Sequence, residues 1–359
     1  MSDQTITNDE FDKLVEQRVS LGVKNLWYPI LPSWGVKNTP VGITRLGEKI
    51  AVWRDNDGNV HAISDSCPHR GARMSLGINK GDKLACWYHG IEVDKDGMVV
   101  NVPAVDNCPM EHTKKNHSYP IQEIKGAIFA YFGDELNPEP VALELPDELV
   151  KEEYSSFLCT AIWKTSYRYA IDNVMDPMHG AYLHGDSHTM AWGEKKAKMR
   201  LEKTKNGWLF EKEGQTGMNF DWVEFGDTGT HWLRLAIPYQ KKVGPGGNFA
   251  IIGFATPIDE NTCQVYFWRV RKVEGWIKDL WHFMYKNRTE GRHWDVLEQD
   301  RVLLEALDPD ARDNEFLYQH DLGVSRIRFE IAKAARVQVK ALLEHKKQNV
   351  QVVLNRQLE

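Results

Sequence analysis

The chain has 359 residues, 42% of them hydrophobic and 27% charged, and this length fits two domains with sizeable cores. A formal net charge of −6 without any basic block speaks against a nucleic-acid partner, and no apolar run approaches the length of a membrane span. The polar, acidic start and the odd number of scattered cysteines indicate neither a signal peptide nor a disulfide framework, so we expect a cytoplasmic protein.

The first third of the chain is predicted to form one helix and then a small β domain. Apolar side chains recur at helical spacing over residues 8–21, and Asn8 or Asp9 is the expected N-cap. From Trp27 onward the pattern changes to short apolar runs separated by Gly-containing turns. The hairpin turns and the last buried strand are predicted at 56–58, 94–97 and 127–132. A linker rich in Pro and Glu follows.

The remaining chain combines helices with a run of strands. We predict a strand within 157–170, a helix over 167–184, several strands between 197 and 270, and closing helices over 275–307 and 322–347. This order is typical of the α+β class. The chain is therefore divided into an N-terminal helical segment, a β domain and a mixed domain, with the bounds 1–26, 27–140 and 141–359.

Two loops of the β domain each carry one cysteine and one histidine. Cys67-x-His69 and Cys86-x-x-His89 lie between strand-like runs, and sixteen residues separate His69 from Cys86. A tetrahedral zinc site accepts this ligand set, whereas a Rieske [2Fe–2S] cluster needs two cysteines on one iron and two histidines on the other. Buried cysteines and hydrogen-bonded histidines without a metal are the third interpretation. Because four such side chains rarely fall at these spacings by chance, we expect a metal.

A second group of candidate ligands lies around His179. Asp176 and His179 are three residues apart and would share a helix face. His179 and His184 are five apart, which is about 140° around an ideal helix. Both therefore reach one ion only where the helix breaks or widens, and Gly180 offers such a place. A histidine pair beside an aspartate is often structural, but an electron-transfer cluster upstream needs an acceptor, which favours a metal here.

A third ligand is expected from the C-terminal part. The 2-His-1-carboxylate triad of non-haem Fe(II) oxygenases needs a carboxylate beside its two imidazoles and leaves coordination positions open for O₂. Asp300 is the candidate, since its neighbours at helical spacing are Val296, Leu297, Leu303 and Leu304. A carboxylate buried among them needs a cation, because burying it unpaired costs several kcal/mol. An arginine or lysine across the core is the alternative cation.

Together the two sites resemble the oxygenase α subunit of the Rieske non-haem iron ring-hydroxylating oxygenases. The resemblance covers nearly the whole chain and rests on the motifs Cys67-x-His69…Cys86-x-x-His89, Asp176-x-x-His179-x4-His184 and Glu298-Gln299-Asp300-x4-Glu305. In the last motif the family usually has Glu and Asp adjacent, whereas Gln299 intervenes here. This departure affects the assignment of Asp300 as the third ligand and does not affect the assignment of the two histidines.

The resemblance implies a fold and two cofactors. A small all-β Rieske domain would be inserted near the N terminus of a helix-grip catalytic domain with an antiparallel sheet. The two cysteines would bind the inner iron of one [2Fe–2S] cluster and the two histidines the outer iron. The implied ligands are Cys67, His69, Cys86 and His89 for the cluster, and His179, His184 and Asp300 for one mononuclear Fe(II).

The resemblance also implies an assembly and partners. In a head-to-tail homotrimer the cluster of one chain would lie beside the iron of its neighbour, and Asp176 would hydrogen-bond His179 and His89 of the neighbouring chain. NAD(P)H electrons would arrive through a separate reductase, with or without a ferredoxin, since no Gly-x-Gly-x-x-Gly segment opening a βαβ unit is present. The small apolar aromatic or heteroaromatic substrate would be dihydroxylated, monohydroxylated or demethylated with O₂.

Two other functions fit part of the sequence. A Rieske electron carrier would use the cluster alone, and it leaves the second ligand group after the linker unexplained. A zinc-stapled binding module would use only the four cysteines and histidines of the β domain. The oxygenase is favoured because a redox relay accounts for both groups of residues.

Overall fold

The computed structural model describes residues 7–186, 196–214, 222–227, 229–239, 247–308 and 310–356. Helices and antiparallel sheets both occur, and the predicted α+β class is confirmed. Within the part of the chain that is described, no helix combines the length and the apolar character needed to cross a membrane.

The helices lie mainly in the C-terminal half. Their bounds are Asn8–Leu21 (α1), Asp147–Val150 (α2), Tyr167–Val174 (α3), Gly180–Leu183 (α4), Gly275–Met284 (α5), Glu290–Glu305 (α6), Ala311–Asn314 (α7) and Leu322–Arg356 (α8). A π-helical stretch, Tyr285–Thr289, joins α5 to α6. The N-cap of α1 is Thr7 and not Asn8 or Asp9, because Thr7 and Glu10 form a reciprocal capping box.

The N-terminal part forms three small antiparallel sheets. Their strands are Leu26–Pro32 (β1), Val41–Arg45 (β2), Glu48–Arg54 (β3), Val60–Ser64 (β4), Ile78–Asn79 (β5), Lys83–Ala85 (β6), Glu92–Asp94 (β7), Val99–Asn101 (β8), Ile121–Ile124 (β9) and Ala127–Phe132 (β10). The sheet orders are β1-β10-β9, β2-β3-β4 and β5-β6-β7-β8. The hairpin turns predicted at 56–58 and 94–97 connect β3 to β4 and β7 to β8 and are confirmed. The core shared by the last two sheets includes Cys67 and Cys86.

The C-terminal part is built around one large antiparallel sheet. Its strands are Tyr154–Trp163 (β11), Met199–Lys203 (β12), Gly207–Lys212 (β13), Trp222–Gly226 (β14), Trp232–Tyr239 (β15), Gly247–Asp259 (β16) and Thr262–Lys272 (β17), in the order β11-β17-β16-β15-β14-β13-β12. Side chains of β17 alternate between two cores. Val265 and Phe267 pack with α1, α3, α5, α6 and α8, whereas Tyr266 and Trp268 pack with Trp27 of β1.

Helix α3 is anchored by hydrogen bonds at both ends of its buried face. The Tyr167 hydroxyl donates to the carbonyl oxygen of Val19 on α1 at 2.6 Å. The buried Asp172 carboxylate accepts from the guanidinium groups of Arg312 on α7 and Arg328 on α8, each at 2.7 Å. Burial raises the pKa of Asp172, although both guanidinium groups act to lower it. This network fixes the helix that leads into the second candidate site.

Candidate metal centres

The two Cys/His loops of the β domain close in the same way. In the first loop the amide of Gly71 donates to the carbonyl oxygen of Cys67 at 2.9 Å, and in the second the amide of Gly90 donates to that of Cys86 at 2.8 Å. Both glycines have a left-handed backbone, with φ of 72° and 73°. Glycine adopts this conformation without the Cβ clash that other residues meet. Each cysteine therefore opens a tight turn that also carries a histidine.

The cysteines of these loops point inward and the histidines outward. Cys67 and Cys86 are 4% and 2% exposed, whereas His69 and His89 are exposed and their ring centroids lie 4.9 Å apart. Burial raises the pKa of the Cys67 thiol, and the neighbouring Cys86 thiol raises it further. The backbone amide of His69 acts to lower this pKa. The two sulfur atoms thus face each other inside the loops, and the two imidazoles face each other at the surface.

The separation of the two sulfur atoms from the two imidazoles argues against a single zinc ion. A tetrahedral zinc ion, with Zn–S of about 2.3 Å and Zn–N of about 2.0 Å, holds its four donor atoms within about 4 Å of one another. Of the side chains that the structure describes, His179, His184 and Asp300 bring their donor atoms within 4.8 Å of one another, and the four loop residues do not form such a group. An inner pair of sulfur atoms and an outer pair of imidazoles fit a two-iron cluster better.

The second site brings together residues from distant parts of the chain. The ligand atoms of His179, His184 and Asp300 all lie within 4.8 Å of one another. Oδ1 of Asp300 is 3.2 Å from Nε2 of His184 and 3.7 Å from Nε2 of His179. Two imidazole nitrogens and one carboxylate oxygen that converge on one point form the donor set of a mononuclear iron triad.

The predicted helix over 167–184 is wrong, and its interruption is what positions the histidines. Helix α3 ends at Val174, because a residue that precedes a proline, here Pro177, is driven away from helical backbone angles. The single turn of α4 then begins after His179 and ends before His184, whose ψ of 29° leaves the helix. The chain therefore breaks before the first histidine and turns at the second, and not at Gly180.

Hydrogen bonds orient both imidazoles. Nδ1 of His179 donates to the backbone carbonyl oxygen of Asp176 at 2.5 Å, and Nδ1 of His184 donates to Oε1 of Gln299 at 2.8 Å. Because both acceptors lack a proton, each Nδ1 carries the hydrogen and each Nε2 keeps its lone pair for a ligand. In the sequence, Gln299 stands out only as a departure from the family motif. Its place directly before the candidate ligand Asp300 is the signal that points to this role.

Asp300 has the surroundings of a metal ligand. It is 7% exposed, and its Oδ1 has no hydrogen-bond partner among the described residues. Across the described parts of the chain it makes no ion pair with an arginine or a lysine, which removes the alternative considered for it. Burial lowers the pKa of His184, but the adjacent Asp300 and the hydrogen bond to Gln299 together outweigh burial, and the pKa is raised. The site therefore attracts a positive charge.

Asp176 contacts His179 through its main chain. Its Oδ1 accepts from the amide of Met178 at 2.8 Å, while Oδ2 lies 3.8 Å from Nδ1 of His179, beyond hydrogen-bonding distance. Burial raises the pKa of this carboxyl group. We expected His179 to hydrogen-bond the carboxylate of Asp176, but it donates to the backbone carbonyl oxygen of Asp176 instead. Bridging to a neighbouring chain stays a prediction.

Comparison with protein families assigns both parts of the chain. Residues 26–120 match the Rieske [2Fe-2S] domain, and residues 163–343 match the vanillate O-demethylase oxygenase C-terminal domain. The second match alone covers half of the chain. The chain belongs to the Rieske non-haem iron oxygenases. The match over residues 163–343 lies inside the range 141–359 expected for the catalytic domain, and the exact borders of both domains stay a prediction.

Curated members of this oxygenase family are similar over different lengths. The chain is 32% identical over 171 residues to the terminal oxygenase component of carbazole 1,9a-dioxygenase from Metapseudomonas resinovorans, and 32% over 166 residues to a vanillate O-demethylase oxygenase subunit from Pseudomonas sp.. These matches cover 46% of this chain in both cases, and 44% and 46% of the relatives, so they span less than half of those proteins. An iron-sulfur subunit of the toluene-4-sulfonate monooxygenase system from Comamonas testosteroni is 23% identical, with 79% of this chain and 87% of the relative covered.

Solved structures share the fold over nearly the whole length. The terminal oxygenase of carbazole 1,9a-dioxygenase from Nocardioides aromaticivorans superposes with a TM-score of 0.74 at 23% identity, covering 90% of this chain and 97% of that one. The oxygenase in a reduced complex with ferredoxin, from a carbazole 1,9a-dioxygenase, gives 0.71 at 19% identity, with 92% and 93% covered. The predicted arrangement of a β Rieske part and a catalytic part with one antiparallel sheet is therefore confirmed.

Proposed function

We propose that the protein is the terminal oxygenase component of a multicomponent Rieske oxygenase. It uses O₂ and electrons derived from NAD(P)H to hydroxylate an aromatic or heteroaromatic substrate. The observation that carries this proposal is the convergence of His179, His184 and Asp300 in a chain that also has both Cys/His loops. Fe(II) held by such a triad supplies the open coordination positions at which O₂ is activated.

The four loop residues are proposed to hold the [2Fe–2S] cluster. Cys67 and Cys86, whose buried positions exclude water from the sulfur atoms, would hold one iron. The exposed His69 and His89 would hold the other. An exposed imidazole gives electrons a short way in and out of the protein. The cluster therefore serves as the supply of single electrons.

The catalytic residues are proposed to act by holding and orienting the iron. His179, His184 and Asp300 supply one donor atom each from one side of the ion, which leaves its other side for O₂. The backbone carbonyl of Asp176 and the side chain of Gln299 keep both rings in place through Nδ1. Acceptors of this kind also make the ligating nitrogen more basic.

A head-to-tail homotrimer is proposed to join the two centres. Trp87 and Tyr88, beside His89, are 74% and 60% exposed, and Tyr182 and Tyr318, around Asp176, are 60% and 56% exposed. Large aromatic side chains at the surface are typical of protein interfaces. Contact between these two patches would place Asp176 beside His89 of the neighbouring chain. Sedimentation analysis of the purified protein tests the trimer.

Electrons are proposed to come from a separate reductase, with or without a ferredoxin. The solved carbazole dioxygenase oxygenases that share this fold include complexes with a ferredoxin. The exposed histidines of the cluster loops offer a surface that such a carrier could approach. Reduction of the cluster by a surrogate ferredoxin and reductase, followed by its visible spectrum, tests this step.

Oxidative demethylation is the second candidate reaction. The C-terminal half matches a domain that is named after vanillate O-demethylase, while other relatives are named as dioxygenases or as a monooxygenase. The same iron triad fits each of these reactions, because all of them begin with O₂ activation beside a bound substrate. Ring hydroxylation and demethylation are distinguished by product mass and by release of formaldehyde.

Iron analysis and turnover test the proposed function directly. The oxygenase holds three irons per chain, two in the cluster and one in the triad, whereas an electron carrier holds two. With a surrogate reductase and ferredoxin, substrate-dependent NADH consumption should accompany incorporation of oxygen from ¹⁸O₂ into an aromatic product. Two irons per chain and no incorporated label across a broad aromatic panel would instead indicate the electron carrier. A colourless protein that contains zinc would indicate the binding module.

A further inference from the structure

Arg269 is a buried cation on the catalytic face of the large sheet. It follows Val265 and Phe267 on β17 at alternating positions and therefore faces the helices α3, α5 and α6, as they do. The residue is only 2% exposed. Arginine stays protonated even when buried, so this face of the sheet carries a permanent positive charge.

Within the described residues this charge has no counter-ion. Nε of Arg269 finds no hydrogen-bond partner among them, and Nη1 makes one long bond of 3.4 Å to the carbonyl oxygen of Phe267. Among the residues that the structure covers, no carboxylate oxygen lies within 4.0 Å of its nitrogens. The half-buried Arg312 and Arg328, by contrast, are neutralised by the carboxylate of Asp172. An unpaired buried guanidinium group calls for an anion from outside the chain.

His293 on α6 lies near enough to Arg269 to feel its charge. Its Nδ1 is buried, and no hydrogen-bond partner for this atom lies among the described residues. Burial, with Arg269 as a further cause, lowers the pKa of His293 well below its ordinary value, so the ring is neutral and can donate a hydrogen bond. The His293 ring centroid lies 5.2 Å from that of Phe249 and 5.6 Å from that of Tyr285. The His293 ring therefore lies among aromatic side chains.

The position relative to the iron ligands suits a substrate. His293 precedes Asp300 by seven residues on α6, which is nearly two turns and about 10 Å along one helix face. Buried Leu297 lies between them on the same face. A ligand whose anionic end reaches Arg269 would extend an apolar body along this face toward the triad.

We propose that Arg269 binds the carboxylate or sulfonate group of an aromatic acid substrate, with His293 as a second polar contact. This inference rests on the proposed oxygenase function and narrows its substrate class. The guanidinium fork matches two oxygen atoms of such a group in a bidentate ion pair. The aromatic ring of the substrate would then lie on the side of Arg269 that leads toward the iron ligands.

Binding of a matched ligand pair tests the proposal without turnover. Calorimetric titration of the purified, cluster-bearing protein compares 4-methoxybenzoate with its neutral isostere 4-methoxybenzamide. A charge-assisted pair predicts that the carboxylate binds about tenfold more tightly or better. Equal affinities for the two ligands in the wild-type protein would overturn the proposal, and this comparison needs no variant.

Variants assign the effect to Arg269. Arg269→Met should remove the preference for the carboxylate, and Arg269→Lys should restore part of it. The control is Lys272→Met, which removes the same charge from an exposed position on the same strand and should keep the preference. Unchanged iron occupancy of the His179, His184 and Asp300 site verifies that the catalytic part of each variant is folded. A preference that survives in Arg269→Met would contradict the assignment.

Turnover separates this inference from the proposed function. If the carboxylate binds selectively but no labelled product forms with any electron donor, the oxygenase function fails and the anion site stands. If labelled products form only from neutral aromatics, the oxygenase function stands and the anion site fails.

Discussion

The Cys/His loops and the His/Asp triad are assembled in opposite ways. The four loop residues lie within one short stretch of chain, in two turns that close through their own backbone hydrogen bonds. The triad instead combines a segment around α4 with Asp300 on α6, which is 116 positions after His184 in the printed sequence. Its geometry therefore depends on how α3, α6 and α8 pack on the sheet.

The two sites also differ in their exposure to water. His69 and His89 are exposed, whereas His184 and Asp300 are 1% and 7% exposed. A centre that exchanges electrons with other proteins needs access from the surface, and a centre that activates O₂ gains from a water-poor cavity. Local turns are therefore sufficient to build the exposed electron-transfer centre, whereas the buried O₂-activating centre requires the packing of the whole domain.

The sharpest way to test the independence of the two sites is to remove one ligand from each. His184→Ala should abolish turnover and leave the visible spectrum of the cluster intact, because the loops do not depend on α4. Cys86→Ser should bleach the spectrum and leave one iron per chain at most. Absorption spectra and iron analysis check both. Loss of the cluster in His184→Ala would show that the sites are structurally coupled.

Asp172→Asn probes the packing on which only the triad depends. The change leaves Arg312 and Arg328 without their shared carboxylate, and loss of one partner from a buried ion pair costs about 3–5 kcal/mol. Chemical denaturation should show this loss in the catalytic part, together with lower iron occupancy and an unchanged cluster spectrum.

The control for that variant is Asp147→Asn, in which an exposed pair with Lys151 is broken. Exposed pairs contribute at most about 1 kcal/mol, so little change is expected. Equal stability of Asp172→Asn and Asp147→Asn would refute the role given to the buried network.

Gln299→Leu should weaken iron binding by about 10- to 100-fold, since acceptors that hold a metal-bound histidine have effects of this size. The variant removes the acceptor from Nδ1 of His184 and changes nothing in the loops. Titration of the iron-depleted protein with Fe(II) measures the affinity. Gln299→Glu keeps an acceptor oxygen and should bind nearly as the wild type does. An unchanged Fe(II) affinity in both variants would mean that Gln299 does not orient the ring of His184.

The smallest effect is expected from Gly90→Ala, which tests the loop side of the comparison. A left-handed backbone disfavours a Cβ atom by about 1–2 kcal/mol, and here the added atom would also lie 3.3 Å from Cγ of Pro103. The cluster spectrum or its potential should shift. Gly58→Ala carries a similar strain at φ of 90° with nothing within 4 Å, and it should alter stability without altering the cluster. Identical spectra of both variants would contradict a special role for the Gly90 turn.

Much of the fold was predictable because its signals are local. The helix over 8–21, the two hairpin turns and the strand 127–132 follow from spacing and turn residues, and the structure has them at those positions. The helix over 167–184 was wrong because periodicity outweighed the effect of Pro177 on the residue before it. The N-cap Thr7 was missed for a similar reason, since a capping box depends on the pairing with Glu10.

The sequence by itself determined the kinds of donor atoms and the α+β class, because side-chain chemistry and short-range spacing need no other part of the chain. Only the tertiary structure decided that Asp300 meets both histidines, that Gln299 orients His184, and that Arg269 is buried with no carboxylate beside it among the described residues. These facts are distances between segments far apart in sequence. They arise from the packing of helices on a sheet, and no local pattern encodes such distances.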